Sequence, residues 1–438
     1  MHQHHPWPGT CSAVLRYMPG EDKHTISDII RALPAVSGAG FQAIHITAPY
    51  ASAGFHPWWG LRPADLTQPN QDLQGTMDDF RRLVHTAHRH GLKVLVFLNL
   101  GYTDIDSPLW HEACRDVRQG IDSPAAGMFL WSDSPDAPLT QPGNAHFRQC
   151  GHWHWSDAAQ KWYYCFWQMG DIAEPQYNYA SAHTQQFIQS VLRHWLDTGI
   201  DGVIVDAVNW YINCTWEIMR RTITDVIHQY PGVVCLPEGG TGFGDDFAPW
   251  IQQGNFDIID DQPFHSDLHW NGSAILRALQ TRDPEILHAA LETNRAARCM
   301  GIPAWSYPSW GDLWTPDLRL LEVAALLGTG HMTEIIPSYF SALGAARTDA
   351  LKQLLRLTAF PSLAPIAPRR RIPMESGSAC YACLCGEDLL VLLQLSDSPD
   401  NVWFPLTGTW RDCLSGEVFF HRDTVPMDAA GYRFLVRI

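Results

Sequence analysis

The chain has 438 residues, of which 46% are hydrophobic and 17% charged. That composition excludes a disordered polymer and leaves room for a barrel of ~300 residues plus smaller units. Its 30 Lys+Arg against 46 Asp+Glu give a formal net charge of −16, which excludes a nucleic-acid partner because that requires a basic footprint.

No run of about 18 apolar residues appears, so no membrane span is expected. Met1-His2-Gln3-His4-His5-Pro6 lacks the apolar core of a signal peptide, and a cytoplasmic location with free thiols is expected. The 11 Cys are odd in number and irregularly spaced, and the lone Cys380-Tyr381-Ala382-Cys383 has no second pair to complete a zinc site. The 19 Trp are more informative, since the flat indole face stacks on sugar rings as well as filling cores. Trp58-Trp59 and Trp153-His154-Trp155 sit among Gly, Pro and His, where core burial is less natural.

In chain order, short apolar runs alternate with amphipathic stretches. The predicted strands are Ser12–Tyr17, Ala43–Ala48, Lys93–Asn99, Gly202–Asp206, Val233–Pro237, Phe256–Asp260, Ile302–Ser306 and His331–Ile335. Several are nearly unbroken apolar runs, as parallel strands covered on both faces require. Thr76 followed by Asp78 and Asp79 opens a helix that Gly91 closes, and Ser181–Leu196 carries a helical stripe of Phe187, Val191, Leu192 and Trp195. Eight such repeats predict a closed (β/α)8 barrel, with function at the C-terminal ends of the strands. A long insert at 101–169 follows the third strand, and short apolar runs separated by turns at 366–438 predict a small antiparallel β domain. The catalytic barrel is expected in two parts, 1–100 and 170–365.

Two carboxylates end neighbouring strands: Gly202-Val203-Ile204-Val205 closes on Asp206, and Val233–Pro237 closes on Glu238. Strands lie about 4.8 Å apart, so the two carboxyls are expected at roughly 5–5.5 Å. That separation fits a retaining glycosidase, with one group attacking the anomeric carbon and the other protonating the leaving oxygen. The competing reading is a pair of carboxylates hydrogen-bonded to loop amides at the barrel mouth. Asp260, Asp261, His265 and His269 end or follow the sixth strand and can line a pocket, though their spacing fits no firm metal pattern. The Gly239-Gly240-Thr241-Gly242-Phe243-Gly244 run, followed by Asp245 and Asp246, lacks the Lys of a phosphate loop and reads as an active-site loop.

Further stretches carry a family resemblance. Gly75-Thr76-Met77-Asp78-Asp79-Phe80 with His88–Val94, Ser107–Ala113, Gln160–Tyr164 with Gly170-Asp171-Ile172, Trp195–Gly202 running into Asp206, Asp388–Val391 and Gly431–Leu435 resemble, in order and spacing, glycoside hydrolase family 13, the α-amylase family. The oligo-1,6-glucosidase and trehalose-synthase-like branch is the nearest. The resemblance implies a TIM barrel with an inserted B domain after strand 3 and a C-terminal antiparallel β-sandwich domain. It also implies Asp206 as nucleophile and Glu238 as acid/base.

The departures are equally specific. Ile204 stands where the family has Arg, Phe97, Gly101 and Tyr102 replace its Asp…Asn-His, and Arg62 replaces an acid. Only Asp312, within Ser306–Asp312, can stand in for the third acid. Expected substrate contacts are Trp58, Trp59, Arg62, Asn99, Tyr102, Trp153, Asn209, Asp261, His265 and Trp310. Arg62 either faces an anionic group on a non-standard −1 sugar or pairs with Asp65 or solvent.

No cofactor and no metal are expected, and no calcium loop is seen near residues 18–24. The expected activity is a retaining α-glycoside hydrolase or transglycosylase on small oligosaccharides. The alternatives are a non-catalytic sugar-binding barrel and an isomerase or transferase using the same glycosyl-enzyme.

Overall fold

The computed structural model describes residues 6–20, 23–54, 60–139, 147, 151–169, 172–239, 247–261, 264, 273–293, 297, 300–307, 315–375 and 377–438. Eight strands form the barrel: β1 Ala13–Tyr17, β2 Ala43–Thr47, β3 Lys93–Leu98, β4 Gly202–Val205, β5 Val234–Pro237, β6 Ile259–Asp260, β7 Ala304–Ser306 and β8 His331–Ile335. All pair in parallel, in the order β5-β4-β3-β2-β1-β8-β7-β6. The seam between β5 and β6 is bridged by Asp257 N donating to the Cys235 carbonyl at 3.0 Å.

Alternation along the strands sorts the core into two layers. Val14, Ala43, Leu95, Phe97, Ile204, Val234, Leu236, Ile258, Trp305 and Met332 fill the barrel interior. Their chain neighbours Ile44, Val94, Val96, Val203, Val205 and Cys235 face the surrounding helices. Both strand faces are therefore covered, which is why the runs carry so few polar residues. Between β2 and β3, the helix Met77–Arg89 starts in a reciprocal Thr76–Asp79 capping box, an arrangement worth about 1 kcal/mol.

The segment after β3 carries the helix Pro108–Gln119 and an antiparallel sheet of Trp131–Ser132, His152–Ser156 and Lys161–Met169. This sheet runs on past residue 169, because Ile172–Pro175 pairs with Lys161–Met169. After β8, a six-stranded antiparallel sheet and a two-stranded ribbon complete the chain. Alternate residues of the central strands Cys380–Cys385 and Leu389–Gln394 enter different cores. Cys380, Ala382, Leu384, Leu390 and Leu392 pack under the ribbon, while Cys383, Cys385, Leu389, Val391 and Leu393 join the barrel-side core. Cys380 and Cys383 thus lie on opposite faces, which explains why the lone CxxC forms no site.

Candidate active site

Register places the central pair. Val205 pairs with Pro237 across β4 and β5, so the residues that follow, Asp206 and Glu238, leave the barrel side by side. The backbone then locks them. Asp206 N donates to the Leu98 carbonyl at 3.0 Å, Glu238 N to the Val205 carbonyl at 2.9 Å, and the Tyr211 hydroxyl to the Asp206 carbonyl at 2.8 Å. Ala207 turns the chain in the left-handed region, at φ 47° and ψ 41°. In that turn its amide donates to Glu238 Oε2 at 2.8 Å. A non-glycine residue held there stores backbone strain, and here the strain aims an amide at a carboxylate.

The two carboxyls were expected at roughly 5–5.5 Å. Register sets them on adjacent strand ends, where the Glu238 carboxyl acts directly on Asp206. Burial pushes the Asp206 carboxyl well above the ordinary carboxylate range, and the Glu238 charge and the shared hydrogen bond push it further. The Arg16 guanidinium opposes this. Tyr50, Tyr102 and Tyr211 face the same charge, and burial first, then Asp206 or a neighbouring tyrosine, raises each phenol well above its usual value. They stand as donors around the pair.

The other expected contacts divide. Asn209 is buried beside the pair, neither polar atom of its amide has a partner, and a Cβ on Gly239 would come within 2.9 Å of its Oδ1. Asn99 is used structurally, donating to the Leu61 carbonyl at 3.0 Å and accepting from Gly101 N at 3.0 Å. Tyr102 stacks on Phe166 with centroids 4.9 Å apart. Trp153 belongs to the inserted sheet, where its indole donates to the Ala137 carbonyl at 2.9 Å and its ring meets Tyr164 edge-on.

Two expectations are corrected. Arg62 faces neither Asp65 nor an open pocket: its Nη2 lies 2.7 Å from Asp104 Oδ2 and its Nε 3.2 Å from Glu174 Oε1, all buried. Asp65 instead accepts from Thr67. Two acids absorb the arginine, so Arg62 offers no spare positive charge to the site. Asp261 does not point inward, because its Oδ2 meets His331 Nε2 at 2.9 Å and His331 adjoins Phe264 in the helix-facing core. The residue before it, Asp260, accepts from Gly239 N at 2.7 Å beside Glu238. A period of two decides between these neighbours. Trp58, Trp59, His265, Trp310 and Asp312 lie outside the described residues, as do His269, Asp245 and Asp246.

Beneath the pair the barrel holds a buried polar cluster that the sequence reading missed. Glu334 on β8 accepts from His45 Nδ1 at 2.8 Å and Trp305 Nε1 at 2.7 Å, and Arg16 Nε stands 3.2 Å away. Arg16 also donates to Thr47 Oγ1 at 2.6 Å. Burial alone would push Glu334 up, but the contacts from His45, Arg16 and Trp305 outweigh it and hold the carboxyl below its ordinary range. Burial depresses His45, which favours the neutral ring. The available signal was a charged residue at an inward position of an otherwise apolar strand. Among the described residues no group of three His, Cys, Asp or Glu could hold a metal ion, and no helix is long and apolar enough to cross a membrane.

A parallel barrel with an inserted sheet after β3 and two carboxyls at the ends of β4 and β5 defines the class. Residues 20–233 match the family model described as "Alpha amylase, catalytic domain". Trehalose synthase/amylase TreS of Mycolicibacterium smegmatis is 31% identical over 182 residues, 37% of this chain and 28% of that protein. The human amino acid transporter heavy chain SLC3A1 is 25% identical over 206 residues, 45% of this chain and 28% of that one. The matches therefore span less than a third of these relatives' length. The crystal structure of an α-amylase from H. orenii superposes with a TM-score of 0.74 over 98% of this chain and all of the other, at 15% identity, which shows the shared fold. Just under half of the chain, residues 20–233, is thus similar in sequence to the α-amylase catalytic domain, and the whole chain shares the fold.

Proposed function

We propose that the chain is a retaining α-glycoside hydrolase or transglycosylase acting on small glycosides by double displacement. The observation that carries this reading is the register-matched pair Asp206 and Glu238 at the ends of β4 and β5. Paired strands lie about 4.8 Å apart, short of the roughly 6.5–9.5 Å at which an inverting enzyme seats its water. Sharing one proton, they form an acid and a base at once. Glu238, held by the Ala207 amide, gives its proton to the leaving oxygen as the C–O bond breaks, and an Asp206 oxygen bonds the anomeric carbon. Water or a sugar hydroxyl then attacks that carbon, its proton passes to Glu238, and the ester to Asp206 breaks.

The unpartnered amide of Asn209 and the protonated tyrosines offer hydrogen bonds to ring hydroxyls. Because Arg62 is taken up by Asp104 and Glu174, the −1 sugar in this reading is an uncharged ring held by contacts other than the family's usual Asp and His. The test is turnover of α-glucosyl fluoride, with the first product anomer followed by NMR and a 5-fluoro-glycosyl fluoride used to trap the ester. Release of the α-anomer and a label on Asp206 are expected, with both lost in D206N. Sugar binding without turnover of α-glycosyl fluorides would overturn the reading in favour of a binding barrel.

A further inference from the structure

Two carboxyls side by side in a buried barrel mouth need a positive charge nearby, because unscreened burial of like charges is costly. The strand that carries Asp206 does not provide it: the inward residue below it is Ile204, packed in the apolar interior. We propose that Arg16, reaching in from β1, is the positioning residue that supplies this charge and keeps Asp206 ready to attack. The proposal takes Asp206 as nucleophile from the reading above.

The geometry is specific. Arg16 is 4% exposed, and its guanidinium carbon lies 5.6 Å from the centroid of Phe97. Phe97 pairs in register with Ile204, two residues before Asp206. The cation therefore sits on the barrel floor below the pair, fixed by Thr47 on β2 and Glu334 on β8. Glu334 does not consume that charge alone, since it also accepts from His45 and Trp305. Among the described residues, the groups facing Asp206 are Glu238 from β5, Arg16 from β1, and the phenols of Tyr50, Tyr102 and Tyr211. Arg16 opposes the upward push of burial and Glu238.

The experiment is a pH titration of the full chain by carbon-13 NMR of labelled aspartate carboxyls, with D206N assigning the Asp206 signal. It compares wild type with R16Q, R16K and E334Q. R16Q removes the cation, and the Asp206 midpoint is expected to move up. R16K keeps the charge and is expected to restore much of the wild-type midpoint. E334Q leaves Arg16 without its counter-charge, and the midpoint is expected to move down.

R16Q and E334Q break the same ion pair, so a purely structural role would move both the same way. Movement in one direction, or an unmoved midpoint in R16Q, overturns the proposal. Should R16Q fail to fold, R16M takes its place, and an unmoved or lowered midpoint there overturns the proposal. Turnover of α-glucosyl fluoride is scored separately. Opposed shifts in a protein without turnover would sink the glycosidase reading and leave the electrostatic role of Arg16 standing.

Discussion

Arg62 illustrates how one side chain is redefined by partners that lie far off in sequence. It is squeezed between Asp104 and Glu174. Burial first, and then the Asp104 charge, pushes the Glu174 carboxyl up to about 8, with Arg62 opposing both. Glu174 therefore keeps its proton in the folded protein well above the ordinary value of 4.5, where the unfolded chain has already released it. The folded state binds more protons across that window, so stability falls as pH rises from about 4.5 to about 8 and levels off above it. E174Q mimics the protonated form and removes the titration. Its urea-denaturation stability is expected to fall less than that of wild type between pH 5 and pH 8, a window chosen from that raised value. Parallel curves for the two proteins would show that Glu174 is ionised throughout.

At the scale of the element, the period of two along β6 makes neighbours into opposites. Asp260 holds Gly239 N beside Glu238, whereas Asp261 holds His331 between strand and helix. D261A is expected to lose about 3 kcal/mol of stability, from a buried charge-assisted contact, with kcat/KM on α-glucosyl fluoride changed little. D260A frees the Gly239 amide next to the acid/base, and misplacing a reacting group by an ångström costs about 100-fold. Equal losses of kcat/KM in the two variants would refute this division.

The same periodicity governs what the sequence discloses. All eight strands are legible as apolar runs, and Asp206 and Glu238 stand out as charges closing two of them. Phe256–Ile258 reads as strand, yet only Ile259–Asp260 joins the ladder, because the β5–β6 seam there is loose. Arg16, His45 and Glu334 are not legible as a group. Arg16 and Glu334 meet only because the barrel closes β8 onto β1, and Arg62 meets Glu174 only because the insert folds back. Local pattern assigns an element and a face, while long-range register chooses the partner.

Across the whole molecule, one helix packs directly between the barrel and the final β domain. Pro316–Thr329 is buried from Arg319 to its end, since the barrel covers one side and the six-stranded sheet the other. Gly328 makes the contact possible: a Cβ there would stand 2.7 Å from Val391 Cγ1, and its carbonyl accepts from Arg369 Nε at 3.0 Å. A glycine inside a helix costs about 1 kcal/mol relative to alanine, so the close approach has to return more than that. Replacing Gly328 with valine gains little helix propensity and overpacks the seam, for an expected loss of about 1–3 kcal/mol. V391A alone is expected to cost about 2 kcal/mol through the cavity it opens. The double variant G328V/V391A fills that cavity with the new side chain, so its loss in urea denaturation is expected to fall short of the sum of the single losses. Additive losses would mean that the two residues do not share the seam, and that the β domain is held to the barrel by other contacts.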